Sequence, residues 1–248
     1  MLMLNNELAK PFLRWAGGKR QLINALTLLL PSEIDVYCEP FIGGGAMLFH
    51  LSPSVAYIND ISAEIINVYQ VIKDDVEALI NKLQWFRNCP EVYYKVRNLD
   101  RDEAKYHSLS CLTKAARTVY LNKTCFNGLF RVNSKGEFNV PFGKRTNPDI
   151  VNAPTLRAVS DYLNSAVVII TNGNYADVIN KLHANAFVYL DPPYDSVSST
   201  ANFDSYTKER FGKDEQVKLR EHCDGLTSRG IKFMLSNSDT DFIRDQYK

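Results

Sequence analysis

The residues best suited to chemistry are Asp191-Pro192-Pro193-Tyr194, directly after the apolar run Ala186 to Leu190. Aromatic and β-branched side chains carry that run, which predicts a buried strand. Two consecutive prolines then stop any ladder or helix and hold the backbone extended. A carboxylate, rigid carbonyls and an aromatic ring are thereby presented at the carboxyl end of a strand, the edge where open α/β sheets bind ligands. An Asp side chain and a proline carbonyl offer only acceptors. They suit an exocyclic amino group, which has two N–H donors and must become a nucleophile. The ring of Tyr194 suits the flat face of the base that carries it. The same four residues also read as a strand-ending turn, because Pro-Pro is a common punctuator.

Two further groups qualify. Gly43-Gly44-Gly45 stands between a short strand, Val36 to Glu39, and a helix, Ala46 to Leu51. Glycines let a ligand approach the backbone, and a helix N-terminus favours negative charge. The dinucleotide fingerprint needs a third glycine where Leu48 stands, so a nucleoside without a pyrophosphate fits better. Asp60 ends the next strand, Val55 to Asn59. It can accept ribose hydroxyls or cap the following helix. Before the first strand, Trp15 offers a stacking plane, Gly17-Gly18 a turn and Lys19 a cation. Lys19 is followed by Arg20, which breaks the phosphate-binding P-loop pattern.

These groups need a scaffold. Strand, glycine turn, helix and second strand open a doubly wound sheet, preceded by a helix over Leu22 to Leu30. From Ser62 to about Leu121 the apolar spacing is helical and no strand rhythm appears, which predicts an insertion. Leu129 to Val132 and Glu137 to Val140, joined by Asn133-Ser134-Lys135-Gly136, read as a β-hairpin. The α/β rhythm resumes with a strand at Val167 to Ile170, a helix near Tyr175 to Leu182 and the 186–190 strand. A helix over Lys213 to Ser228, a strand over Ile231 to Leu235 and a last helix follow.

The 248 residues carry a net charge of +1, so the overall balance says nothing about nucleic acid. The distribution does. Between Lys114 and Asn147 seven basic residues face one acid, Glu137, a net of six positive charges. Phe126, Phe130, Phe138 and Phe142 are interleaved. Such a patch is a footprint for phosphates or a solvated basic face. Five scattered cysteines and four unclustered histidines point to free thiols in a reducing cytoplasm, without a disulfide framework or metal site. No apolar run reaches the roughly 18 residues of a membrane span, and the N-terminus lacks the pattern of a secretory signal.

Arg14 to Lys19, Glu39 to Gly45, Asn122 to Arg145 and the Asp191 tetrad follow one another in an order that resembles the Dam-type DNA adenine-N6 methyltransferases. The likeness runs over nearly the whole chain and includes Ser199-Thr200-Ala201-Asn202-Phe203. It implies a Rossmann-like α/β methyltransferase fold with a helical DNA-recognition insertion. Residues 1–61 and 153–248 would carry the cofactor and the chemistry. Residues 62–152 would read DNA, with a hairpin at about 124–145.

The implied cofactor is S-adenosyl-L-methionine, with no metal. The implied reaction is methyl transfer to N6 of a flipped adenine in double-stranded DNA, typically at GATC. Trp15, Lys19, Gly43, Gly45, Asp60, Asn174, Tyr175 and Asp191 would meet the cofactor. Asp191, Pro192 and Tyr194 would hold the target base. Arg14, Asn127, Leu129, Arg131, Lys135, Pro141, Lys144 and Arg145 would meet DNA. Arg14 stands where enteric relatives carry lysine, and Lys144 where they carry arginine.

Members of that family usually continue with two more strands, whereas this chain ends at Lys248. The C-terminal strands are therefore expected to be missing. That leaves as an alternative a catalytically impaired homologue that acts as a DNA-binding module. A third reading is methylation of a protein glutamine or an RNA amine through a related tetrad. A monomer, in a bacterial or phage-infected cytoplasm near the nucleoid, completes the expectations.

Overall fold

A computed structural model describes residues 7–15, 17–19, 21–195 and 211–248. Its centre is a five-stranded parallel sheet in the order β3-β2-β1-β4-β5. The strands are β1 (Val36–Glu39), β2 (Val55–Asp60), β3 (Val167–Asn172), β4 (Ala186–Leu190) and β5 (Lys232–Leu235). β4 is buried at every residue, as a continuous apolar run in a parallel sheet should be. Strand order reverses between β1 and β4. The glycine loop and the Asp191 tetrad thus leave the sheet on either side of its switch point, where the diverging connections open a crevice.

The chain enters through α1 (Ile23–Thr27) and, after β1, forms α2 (Ala46–Leu51). α1 is shorter than the predicted Leu22–Leu30 helix. It has no buried residue, and Leu28 and Leu29 are 86% and 72% exposed. Its packed face is confined to the half-buried Ile23 and Leu26, so little beyond propensity extends the helix and the run unwinds after Thr27.

The insertion is helical as expected: α3 (Ala63–Gln84), α4 (Pro90–Arg97), α5 (Glu103–His107) and α6 (Cys111–Thr124). α3 packs on α6 on one side and on α7 (Ala153–Ser165) and β3 on the other. One core cluster therefore runs from the sheet through Ile65, Tyr69 and Ile72 into Val119, Phe130 and Phe138. α8 (Tyr175–Ile179), α9 (Lys213–Ser228) and α10 (Asp241–Gln246) complete the fold. α7 has no counterpart in the sequence reading, although the Asn152 side chain caps Thr155 N at 3.2 Å and a proline sits in its first turn. Both are start signals.

The hairpin is looser than predicted. Residues 129–132 and 137–140 are joined by single antiparallel bridges, Val132 to Phe138 and, outside them, Cys125 to Phe142, rather than by continuous strands. The turn is formed: Asn133 N donates to Glu137 O at 2.9 Å and Gly136 N to Asn133 O at 2.9 Å. The Asn133 side chain accepts from Lys135 N and Glu137 N, both at 3.0 Å. Side-chain bonds to the backbone here replace ladder bonds.

Among the described residues no helix is long and apolar enough to cross a membrane.

Candidate active site

A cavity of about 1550 Å³ opens along the carboxyl edge of the sheet. That exceeds the roughly 300–1,000 Å³ of a single small-molecule site, so it has room for two ligands side by side. Every residue that the sequence assigns to cofactor or chemistry lines it: Trp15, Lys19, Gly43, Gly45, Asp60, Asn174, Tyr175, Asp191, Pro192 and Tyr194. Of the residues assigned to DNA, Arg14 and Arg145 line it. Asn127, Leu129, Arg131, Lys135, Pro141 and Lys144 do not. Ser199 to Phe203 lie outside the described residues.

Three adjacent strands end in carboxylates at this edge: Asp60 on β2, Glu39 on β1, and Asp191 directly after β4. Lys19 Nζ lies 2.6 Å from Asp191 Oδ1, 2.8 Å from the Gly17 carbonyl and 4.8 Å from the centre of the Tyr194 ring. Burial pushes the Asp191 carboxyl up, and the Lys19 ammonium offsets part of that. Burial alone would lower Lys19, but the Asp191 carboxylate and Tyr194 outweigh it and hold its pKa above the ordinary value.

Asp60 is held by the backbone at both oxygens. Its Oδ1 accepts from Ser62 N at 2.9 Å, fixing the entry to α3, and its Oδ2 accepts from Gly43 N at 3.0 Å. Burial raises it to about 6, with those N–H bonds pulling the other way.

Glu39 stands in the glycine-loop motif, yet the sequence assigns it no role. Its Oε2 accepts from Tyr37 Oη at 2.8 Å and Leu48 N at 3.2 Å. Burial lifts it to about 8, because the lowering from Tyr37, Leu48 and Lys19 does not cancel burial and the nearby Asp191. Its position as the last residue of β1, parallel to Asp60 on β2, is the signal that could have found it.

A carboxyl with a raised folded pKa binds its proton more tightly in the native state, so it weakens folding as pH rises between the two values. For Glu39 that window runs from the ordinary 4.5 to about 8. Glu39→Gln should flatten the fall in stability between pH 6 and 8.5, a slope of at most about 1.4 kcal/mol per pH unit. Urea midpoints of both proteins at the two pH values check this. Parallel slopes would mean that another group titrates.

The glycine loop works differently from the simple expectation. Gly43 and Gly45 have φ of +44° and +69°, which favours glycine. A Cβ on Gly43 would meet Trp15 Cδ1 at 2.7 Å, and one on Gly45 would meet Tyr69 Oη at 2.5 Å. The space the glycines leave is thus filled by this chain's own aromatic side chains. Trp15 in turn packs against Phe130 of the hairpin, with ring centres 4.9 Å apart. On the other side of the cavity Tyr175 packs against Phe41 and Phe211, at 5.0 and 6.0 Å between centres. Asn174 caps α8, accepting from Ala176 N at 2.9 Å.

The segment that follows α6 is fastened to the cavity mouth by Asn122, which is 1% exposed. Its side chain accepts from Arg14 N at 2.8 Å and donates to Arg14 O at 2.7 Å and Gly128 O at 3.2 Å. Asn127 and Leu129 are exposed beside it. Arg131 Nε donates to Asn139 Oδ1 at 2.8 Å, which orients the guanidinium. Lys135 is exposed in the hairpin turn, and Pro141 and Lys144 lie beyond it.

The basic patch needs correction. Arg117 is 3% exposed and paired with Asp100 at 2.5 Å inside the helical insertion, so it serves packing and not phosphate. Phe130 and Phe138 are core, and Phe142 packs on Tyr93. Phe126, at 51%, is the exposed ring of the four.

A family model described as D12 class N6 adenine-specific DNA methyltransferase matches residues 15–248. The chain is 41% identical over 250 residues to a Type II methyltransferase of Lactococcus lactis subsp. cremoris, spanning 100% of this chain and 88% of that protein. It is 40% identical over 260 residues to a Type II methyltransferase of Methanocaldococcus jannaschii, spanning 96% and 88%. With the DNA adenine methylase of Escherichia coli it shares 32% identity over 243 residues, spanning 96% and 84%.

Proposed function

Because the chain belongs to the D12 class of N6 adenine-specific DNA methyltransferases, we propose that it takes its methyl group from S-adenosyl-L-methionine and modifies adenine in duplex GATC. One observation carries the cofactor reading. Three strand-end carboxyls, Asp60, Glu39 and Asp191, line the cavity, and the Lys19 ammonium is paired with Asp191, so Glu39 and Asp60 remain to offset the charge of a ligand that bears a sulfonium and an ammonium. Such a cation would favour the ionised forms of Glu39 and Asp60, the forms that burial disfavours. Asp60 suits ribose hydroxyls, Trp15, Gly43, Gly45 and Lys19 suit the methionyl side, and the wall of Asn174 and Tyr175 suits an adenine. When bound, that cofactor supplies a methyl group made electrophilic by its sulfonium.

The chain's own residues must also make a poor nucleophile reactive. Adenine N6 shares its lone pair with the ring. The Asp191 carboxylate and the Pro192 carbonyl are acceptors for its two N–H groups. They would draw the amine toward tetrahedral geometry and stabilise the positive charge that develops on it. Lys19 holds Asp191 in place and offsets the cost of burying it. Tyr194, 43% exposed at the cavity mouth, would stack on the base and offset part of the few kcal/mol of unstacking.

Residues 1–61 and 153–248 would form the catalytic unit and 62–152 the recognition unit, with α3 packed against both. The protein would act as a monomer in the cytoplasm. DNA from a methylase-deficient host expressing this chain, cut with GATC-cleaving enzymes of opposite methylation sensitivity, tests the reading. A digestion pattern identical to that of the host without the chain would overturn the GATC assignment.

Within the recognition unit, Arg131 and Lys135 should behave differently. An oriented guanidinium pairs with guanine O6 and N7, worth roughly 1–3 kcal/mol of discrimination. Arg131→Ala should therefore relax specificity at one base pair. Lys135→Ala should lower affinity for all duplexes and reduce the salt dependence. Binding titrations on cognate and substituted duplexes at several salt concentrations separate the two. Equal losses on every duplex would make Arg131 a phosphate contact.

A further inference from the structure

The two prolines of the tetrad have no N–H to tie them down, so their carbonyls are the backbone polar groups there that can be anchored. Gln216, in the first turns of α9, is 1% exposed, unusual burial for a side chain with two polar ends. Its Nε2 donates to the Pro193 carbonyl at 2.8 Å. Its Oε1 accepts from Asn237 Nδ2 at 2.9 Å. Asn237 Oδ1 accepts in turn from Ser238 N at 2.8 Å. The amide orientation is set by this network, since a proline carbonyl only accepts.

The loop after β5 grips the same segment at two more points. Ser236 N donates to Leu190 O at 2.8 Å, just before the tetrad, and Thr240 Oγ1 to Asp195 Oδ2 at 2.9 Å, just after it. The chain from Leu190 to Asp195 is therefore held at its start, middle and end by α9 and the 236–240 loop. Among the described residues, by contrast, no group donates to the Pro192 carbonyl. Among the described residues, then, the Pro193 carbonyl is anchored and the Pro192 carbonyl accepts no bond.

We propose that Gln216 is a positioning residue for methyl transfer. By anchoring Pro193, with Asn237 holding its amide in register, it fixes the peptide that presents the Pro192 carbonyl and Asp191 to the target amine. The proposal rests on the adenine-N6 reading of this cavity. A neutral amide is well matched to this role, because it holds a carbonyl without adding charge beside Asp191 and Lys19. Misplacing catalytic groups by about 1 Å costs on the order of 100-fold in rate.

The test compares Gln216→Met, which keeps the side-chain bulk but neither donates to Pro193 nor accepts from Asn237, with wild type in single-turnover methylation of duplex DNA. The expected result is a rate loss of at least tenfold, with the KM for S-adenosyl-L-methionine and the DNA Kd within threefold of wild type. Leu226→Val loosens the same helix from its buried face without touching the tetrad, and should keep the wild-type rate at a temperature where it is folded. Should Gln216→Met fail to fold, Asn237→Ala decides, with at least a threefold rate loss in the same pattern. Smaller losses, or an equal loss in Leu226→Val, overturn the assignment. Failure of the wild-type chain itself to methylate adenine overturns the underlying reading instead.

Discussion

Asp191→Ala should lower methyl transfer by about 100-fold or more, a loss of roughly 3 kcal/mol or more of transition-state stabilisation. The expectation comes from where the carboxylate sits. It leaves the sheet directly after β4, at the switch point, in a cavity shared with the glycine loop. It is mostly buried and held by Lys19 at 2.6 Å. Removing it deletes the acceptor that would act on the amine as charge develops there. It also leaves the buried Lys19 ammonium without its paired carboxylate, with the Gly17 carbonyl and Tyr194 still beside it, so disorder at Lys19 would add to the loss. Asp191→Asn separates the two effects. The amide keeps the shape and an oxygen for Lys19 but replaces the negative acceptor with a neutral one that also carries N–H groups. Both variants should bind duplex DNA within a few-fold of wild type, because most of the residues proposed to meet DNA lie outside the cavity. Single-turnover rates, DNA affinities and melting curves for the three proteins settle it. A rate above a tenth of wild type in Asp191→Asn would sink the acceptor role.

That the tetrad is legible without a structure reflects the strength of its local signals. The limits of β4 are visible in the sequence because five apolar residues end in Asp-Pro-Pro. The limits of β1, α2 and α9 are visible too, each bounded by proline, glycine or a capping turn. Local chemistry says less where tertiary packing decides. Leu28 and Leu29 look helical but stay exposed. The 129–140 segment alternates like a hairpin but is held by side-chain bonds from Asn133 and by Asp100. Arg117 counts as a surface charge in the sequence because spacing cannot reveal a carboxylate that reaches it from the turn after α4. Gln216 gives no signal at all, since its partners lie 23 and 21 residues away. The acids at the ends of β1 and β2 are the middle case. Their positions are visible, but their hydrogen bonds and raised pKa values need the packed sheet.

The largest effect on stability should come from Asp100→Ala. Asp100 is the hub of a buried network within the insertion. Its Oδ2 meets Arg117 at 2.5 Å and accepts from Phe138 N at 2.7 Å, and its Oδ1 meets Arg101 at 2.6 Å. Arg101 also donates to Phe138 O at 2.6 Å, so Phe138 of the hairpin is held through both backbone groups. Arg117 donates to Val96 O and Arg97 O, and approaches the Tyr106 hydroxyl, which in turn donates to Glu64 at the start of α3. Deleting Asp100 leaves the Arg117 guanidinium buried without its near carboxylate and strands the Phe138 N–H. Breaking one side of such a pair costs about 3–5 kcal/mol, a large share of a domain's total stability.

Removing both charges should cost less than removing one, because the uncompensated charge is what hurts. Asp100→Asn with Arg117→Met should therefore melt above Asp100→Ala. Where Asp100→Ala stays folded, the hairpin should lose its seat, so discrimination between cognate and non-cognate duplexes should fall. Cofactor binding should persist, since the residues assigned to it lie on other elements. Urea titrations of the three proteins, paired with DNA and cofactor binding, test this chain of consequences. A cost below about 1 kcal/mol for Asp100→Ala, well short of the usual cost of a broken buried pair, or a double variant no more stable than the single, would show that the hairpin is held by its aromatic core and not by this network.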